Sequence, residues 1–200
     1  MSSHSIESFP LRFRRFALNA AILLFAISLP CDARAEASVD VVRNDEFITI
    51  EASLAAPVDA RLAWQVLTDY EHLADFIPGM HNSHVVSTGS KPIRVQQRGE
   101  GGFLFYRFPI EIVLQMDETP FEAIFFHAVG GNIEQMEGVW RLEGSAPVRV
   151  HYSARMKPQF WVPPLIGPAV IRHDVQLQLE GLSREMERRA ARSPSSRSLP

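Results

Sequence analysis

Four side chains are of types that could do chemistry: His81 and His84, three residues apart, and Glu134 and Tyr152, both on segments that read as strands. Two imidazoles at that spacing can share a metal, but a structural or catalytic site needs three or four ligands. The pair sits at a helix-to-strand junction with no third ligand, so no metal is expected. Glu134 and Tyr152 can give or take a proton if a pocket encloses them. His127, His151 and His173 are scattered, and Arg98, Arg107 and Arg155 read as a solvated outer face. No nucleophile elbow or dinucleotide fingerprint occurs, and Gly99 to Gly102 and Gly130-Gly131 read as turns rather than phosphate loops. Without a catalytic constellation, binding is favoured over catalysis and no cofactor is called for.

The elements that must position these groups follow from periodicity. Residues 168–189 read as helix, with Ile171, Val175, Leu179, Leu182 and Met186 on one face at spacings of three and four. At the helical rise these residues reach roughly 33 Å, enough to cross a small domain. Ile166, Val170 and Leu177 make a second apolar stripe, so this helix needs apolar neighbours on more than one side. Before it lie mostly strands. Residues 36–44 read as a polar lead and 47–54 as a first strand. Pro57 opens a helix with Asp59 near its positive end, and Leu73 to Phe76 forms a second short helix. From Met80 the period changes to two. Strands are expected at 85–86, 93–97, 103–117, 121–129, 134–143 and 148–156, and Pro109 marks an edge or a kink in the third of these. The last is the clearest: Val148, Val150, Tyr152, Ala154 and Met156 alternate with polar residues. Turns every ten or so residues call for an antiparallel meander.

The N-terminus reads as a leader. Arg12, Arg14 and Arg15 precede an apolar run from Phe16 to Leu29, and Ala33-Arg34-Ala35 supplies a small-residue cleavage site, so residues 1–35 are expected to be a signal peptide cut after Ala35. Cys31, the only cysteine, would leave with it, and the mature chain could form no disulfide. Cleavage would take four of the 20 basic residues and two of the 23 acidic ones, leaving 16 against 21 and a net charge of −5. That argues against a nucleic-acid partner. The expectation is a periplasmic or secreted product, with a domain at 36–189 and a disordered tail at 190–200, rich in Ser, Pro and Arg.

Three segments carry a resemblance: Ala56-Pro57-Val58-Asp59 leading into Trp64-Gln65-Val66-Leu67-Thr68-Asp69-Tyr70, then Leu73-Ala74-Asp75-Phe76-Ile77-Pro78-Gly79-Met80, then Gly138-Val139-Trp140-Arg141-Leu142. With the element order they resemble the START-like (SRPBCC) helix-grip superfamily, which includes polyketide cyclase/dehydrase and coenzyme Q-binding START-type domains. The resemblance implies an α+β helix-grip fold: a curved antiparallel sheet of about six to seven strands around a long C-terminal helix, with two short helices after the first strand. It also implies an apolar cavity between sheet and helix.

Strand parity names the wall of that cavity. If Tyr152 and Met156 face the helix, so do Met136 and Trp140, Phe126, and Tyr106 and Ile110, with Leu104, Phe108, Ile112 and Leu114 in the same set. Gln97, Glu134 and Tyr152 are the polar groups of that parity, suited to orienting a ligand. From the helix, Val170, His173 and Leu177 are expected to join them. The link before the helix, 158–167, is unusually apolar for a loop. Phe160, Trp161, Leu165 and Ile166 are expected to form a gate there that touches a membrane transiently. The protein is thus expected to be a monomer that holds a hydrophobic small molecule such as a lipid, quinone or isoprenoid. The alternative is a cyclase, dehydratase or hydrolase using the same cavity. A third reading, interaction with large intracellular assemblies, is disfavoured by the leader.

Overall fold

Alternating apolar and polar residues build most of this molecule. The computed structural model describes residues 37–87, 89, 91–103, 106–164 and 166–193 of the 200-residue chain. The expected leader, residues 194–200 of the expected tail, and Leu104 and Leu165 lie outside the described residues. A hairpin of β1 (Ala37–Asn44) and β2 (Phe47–Ala56) is followed by α1 (Ala60–Leu67) and α2 (Leu73–Phe76). The meander then runs through β3 (Met80–Val85), β4 (Ile93–Phe103), β5 (Tyr106–Thr119), β6 (Ala123–Gly131), β7 (Ile133–Glu143) and β8 (Val148–Pro158), and α3 (Gly167–Arg192) closes the chain. Among the described residues there is one eight-stranded sheet, antiparallel throughout, in the order β1-β2-β8-β7-β6-β5-β4-β3.

This is the expected helix-grip arrangement, with eight strands where six to seven were expected and the two short helices after the second strand rather than the first. Residues 37–44 are a strand rather than a polar lead. Only Val39 and Val41 supply an inward alternation, too little to read alone, but all eight residues pair with β2, from Ala37 opposite Leu54 to Asn44 opposite Phe47. Asp45 turns the hairpin at φ +54°, a left-handed conformation that aspartate tolerates.

The first helix starts three residues later than Pro57 suggests. Asp59 is its N-cap, and its carboxylate accepts the Leu62 amide at 2.8 Å, which satisfies one of the free donors of the first turn. Helix α3 runs to Arg192, so residues 190–192 continue the helix instead of joining the tail.

Pro109 lies where its strand has a neighbour on one side only. It pairs with Glu100 of β4, whereas the ladder to β6 begins at Ile112. The Asn132 side chain covers the gap by donating to the Pro109 carbonyl (2.7 Å) and accepting the Glu111 amide (3.0 Å). An edge tolerates a residue without an amide proton, which is why the proline is accommodated in an otherwise internal strand.

The helical stripe is the spine of the core. Met186, Leu182 and Leu179 are almost fully buried and belong to one core cluster with Leu54, Val66, Val148 and Val150, all of which are also fully buried. Gly181 lets α3 approach the end of α2: a Cβ there would collide with the Phe76 carbonyl oxygen and meet the Pro78 ring at 2.9 Å. At the same end Glu185, whose side chain is 6% exposed, is bound by Arg188 and Arg189, and Arg189 also reaches Asp69 at 2.6 Å. This half of the domain is solid. The other half is not.

Candidate functional site

Further along β8 and toward the start of α3, the two apolar surfaces part around a cavity of about 220 Å³. Its floor is the concave face of the sheet: Ile112 and Leu114 of β5, Ile124 and Phe126 of β6, Met136 and Trp140 of β7, Tyr152 and Met156 of β8. Its roof is α3, through Ile171, Asp174, Val175, Gln178, Leu179 and Leu182. These positions share one face because a residue recurs about every 100° around the helix. Leu67, Tyr70, Leu73 and Ile77 complete the wall, together with the glycine-rich stretch Gly99 to Gly101, Phe108 and Phe160.

Of the residues expected from strand parity, Gln97, Ile110, Phe126, Met136, Trp140, Tyr152 and Met156 do line the cavity, and so does Phe160. The Tyr106 side chain and Leu165 lie outside the described residues. Four expectations fail. Glu134 does not enter the cavity: the β7–β8 register shifts between Ile133 and Gln135, so Ile133 turns inward. Glu134 is left outside, 44% exposed and 3.0 Å from Lys157. His173 is exposed, one residue and about 100° round the helix from Asp174, which faces the cavity. Leu177 is only partly buried and off the wall for the same reason, and Val170 is buried but does not line the cavity. Trp161 and Ile166 of the pre-helix link face outward, 69% and 53% exposed. Between them Val162 is buried, and Phe160 stacks on Phe108 with ring centroids 4.7 Å apart.

Parity missed the residues outside strands. Tyr70 and Leu73 come from the α1–α2 segment. Asp174 and Gln178 stand three and seven residues after Ile171, so the helical stripe that locates Val175 and Leu179 also contains them.

The polar groups of the wall are unequally occupied. The Tyr70 hydroxyl donates to Glu118 Oε1 at 2.6 Å, and burial and that carboxylate both push its pKa up. Glu100 is taken by Arg107, and Arg98 lies 3.5 Å from Glu111. Tyr152 is different. It is packed between Trp140 and Phe126, with centroids 4.4 and 5.9 Å away, and its hydroxyl has no hydrogen-bond partner among the described residues. Burial alone pushes its pKa up, so it stays protonated and can donate to a guest. Among the described residues no group of three or more His, Cys, Asp or Glu is placed to hold a metal. His84 Nδ1 lies 2.5 Å from the Asn82 side-chain oxygen.

Comparison with solved structures shows the same fold in proteins of low sequence identity. The Zhui aromatase/cyclase from a Streptomyces species has a TM-score of 0.62 and 16% identity over 75% of this chain and 98% of its own. Human STARD10 also has a TM-score of 0.62, with 11% identity over 82% of this chain and 74% of its own. A STAR-related lipid transfer protein from Xanthomonas axonopodis has a TM-score of 0.57, with 12% identity over 74% and 98%. A comparison with curated proteins finds no match. The model of one family, described as polyketide cyclase / dehydrase and lipid transport, matches residues 56–183, which begins at the end of β2 and takes in the whole cavity wall except Ile50. The chain therefore belongs to the polyketide cyclase / dehydrase and lipid transport family.

Proposed function

We propose that the protein binds one hydrophobic small molecule in this cavity and carries it as a monomer outside the cytoplasm, in the periplasm or secreted. The carrying observation is an apolar chamber whose wall carries a hydroxyl, that of Tyr152, with no hydrogen-bond partner among the described residues. A solid core would not leave such a group unsatisfied. Affinity would come from buried apolar area at about 25 cal/mol per Å², and orientation from Tyr152 and Gln97.

Size limits the guest. An apolar cavity of about 150 Å³ takes a single benzene ring, so about 220 Å³ suits one or two rings, a quinone head or a short isoprenoid segment. A two-chain lipid would need the chamber to widen. The link 159–166 is the gate in this reading. Phe160 borders the chamber while exposed Trp161 and Ile166 supply the apolar surface that a membrane interface takes up. The likenesses to an aromatase/cyclase and to a STAR-related lipid transfer protein fit a guest-holding fold.

The test is native mass spectrometry of protein purified gently from the exported fraction, followed by organic extraction. A quinone- or isoprenoid-sized guest at near one-to-one stoichiometry is the expected result. Protein that stays empty and takes up no ring-sized hydrophobe would refute the reading. The second reading, a cyclase or dehydratase, is favoured by the same protonated Tyr152, which can act as a general acid. It requires turnover that Tyr152→Phe removes while binding is largely kept, whereas a carrier returns its guest unchanged.

A further inference from the structure

Among the described residues, three ionisable side chains other than tyrosines stand on the cavity wall: Arg98, Glu100 and Asp174. Arg98 and Glu100 belong to β4 and have salt-bridge partners on β5. Asp174 is the carboxylate of the roof. One of its oxygens, Oδ2, accepts the Gly102 amide at 2.9 Å, which ties α3 to the β4–β5 hairpin. Gly101 lies against the same oxygen: a Cβ there would come within 3.1 Å of it and would strike the Phe108 ring at 2.6 Å. The carboxylate is thus fixed by backbone from one side.

A carboxylate has two oxygens and about four acceptor sites. Among the described residues one amide uses one of these, and Oδ1 has no hydrogen-bond partner. Burial raises the pKa of the group, in keeping with a charge that water solvates poorly and the protein satisfies only in part. A half-buried acceptor, held rigidly at the edge of an apolar chamber, suits a donor that arrives with the guest.

We infer that Asp174 is a specificity-determining residue of the cavity and accepts a hydrogen bond from a hydroxyl on the bound molecule. A hydroxyl fits better than an ammonium, because the Arg107 guanidinium already brings positive charge toward this carboxylate. Across the chamber the Tyr152 hydroxyl donates. The guest this wall selects is compact, one or two rings in size, with an oxygen acceptor toward the sheet and a hydroxyl toward α3. The inference rests on the cavity reading above and narrows it.

A matched pair of fluorescent probes tests it: 6-acetyl-2-naphthol, which has a carbonyl at one end and a hydroxyl at the other, and its methyl ether, which lacks only the donor. Both are titrated into the wild-type protein and into Asp174→Asn. The wild type should bind the naphthol at least about tenfold more tightly than the ether, the loss expected for a hydrogen bond to a charged acceptor. Asp174→Asn keeps an oxygen for the Gly102 amide but turns the other acceptor into a donor, so it should erase or invert the preference. A merely structural latch would not produce that reversal. Equal wild-type affinities, or a preference that survives in Asp174→Asn, would overturn the inference while leaving the cavity reading intact. Binding of neither probe to the wild type would overturn both.

Discussion

Arg43 of β1 donates through Nη1 to the Val162 carbonyl at 2.6 Å, which joins the edge strand to the link before α3 across 119 positions of sequence. The strand that makes this bond lies outside the residues matched by the family model. Arg172 repeats the connection from the helix side, donating to the Val39 carbonyl at 3.2 Å and reaching Asp40 at 3.4 Å. The β1 strand therefore straps both the link and the start of α3. If 159–166 is the gate, Arg43 restrains it. Arg43→Ala should cost about 1–2 kcal/mol in stability and release a bound naphthalene probe several-fold faster. Stopped-flow dissociation checks this, and an unchanged off-rate would show that the link does not control exit.

Substitutions on the two sides of α3 and the sheet should behave differently. Met136→Arg places a charge on the cavity wall and should abolish probe binding in a folded protein, since an unpaired buried charge is far more costly than the lost contacts. Leu177→Arg, off the wall, should leave probe affinity within about twofold. Circular dichroism confirms folding, and fluorescence titration reads the affinity. Loss of binding in both variants would contradict the wall described here.

The close approach at Gly181 predicts a cost that helix propensity alone would not. Alanine is the better helix former by about 1 kcal/mol, yet Gly181→Ala should destabilise by about 1–3 kcal/mol, because its Cβ meets the rigid Phe76 carbonyl and the Pro78 ring. Urea denaturation measures the sign. Stabilisation would mean that α2 and α3 shift apart without penalty.

Acid should weaken the solid end of the domain through Glu185. Its hydrogen bond from Arg188, with that from Arg189, holds its pKa down at about 2 against an ordinary 4.5. A carboxylate whose pKa is lower in the folded state contributes stability that is complete above the ordinary value and lost as pH falls from about 4.5 toward 2. Asp69, whose pKa is also lowered, works in the same direction: its bonds from His72 and Arg189 outweigh the opposing effect of burial. Glu185→Gln should lower stability by on the order of 2–3 kcal/mol at neutral pH and flatten the acid limb of a melting-temperature profile. An equally steep limb in the variant would place the acid sensitivity elsewhere.

Short-range pattern in the sequence was enough for the fold and much of the cavity floor. Alternation on β8 fixed that Tyr152 and Met156 face the helix, and the spacing from Ile171 to Met186 fixed which face of α3 is buried. Each depends only on neighbours a few positions away. The failures are the features that depend on distant partners. Glu134 has the right parity until the ladder with β8 slips at Ile133, and a slip is a property of two strands rather than one. Residues 37–44 become a strand only because β2 offers them a complete edge. His173 and Asp174 are adjacent in sequence, and the way α3 sits on the β4–β5 hairpin, through the Gly102 amide, decides which of them meets the cavity. Whether the inward apolar residues close into a solid core or stand apart was likewise a tertiary outcome. It depends on how far α3 is lifted from the sheet, and no local pattern encodes that separation.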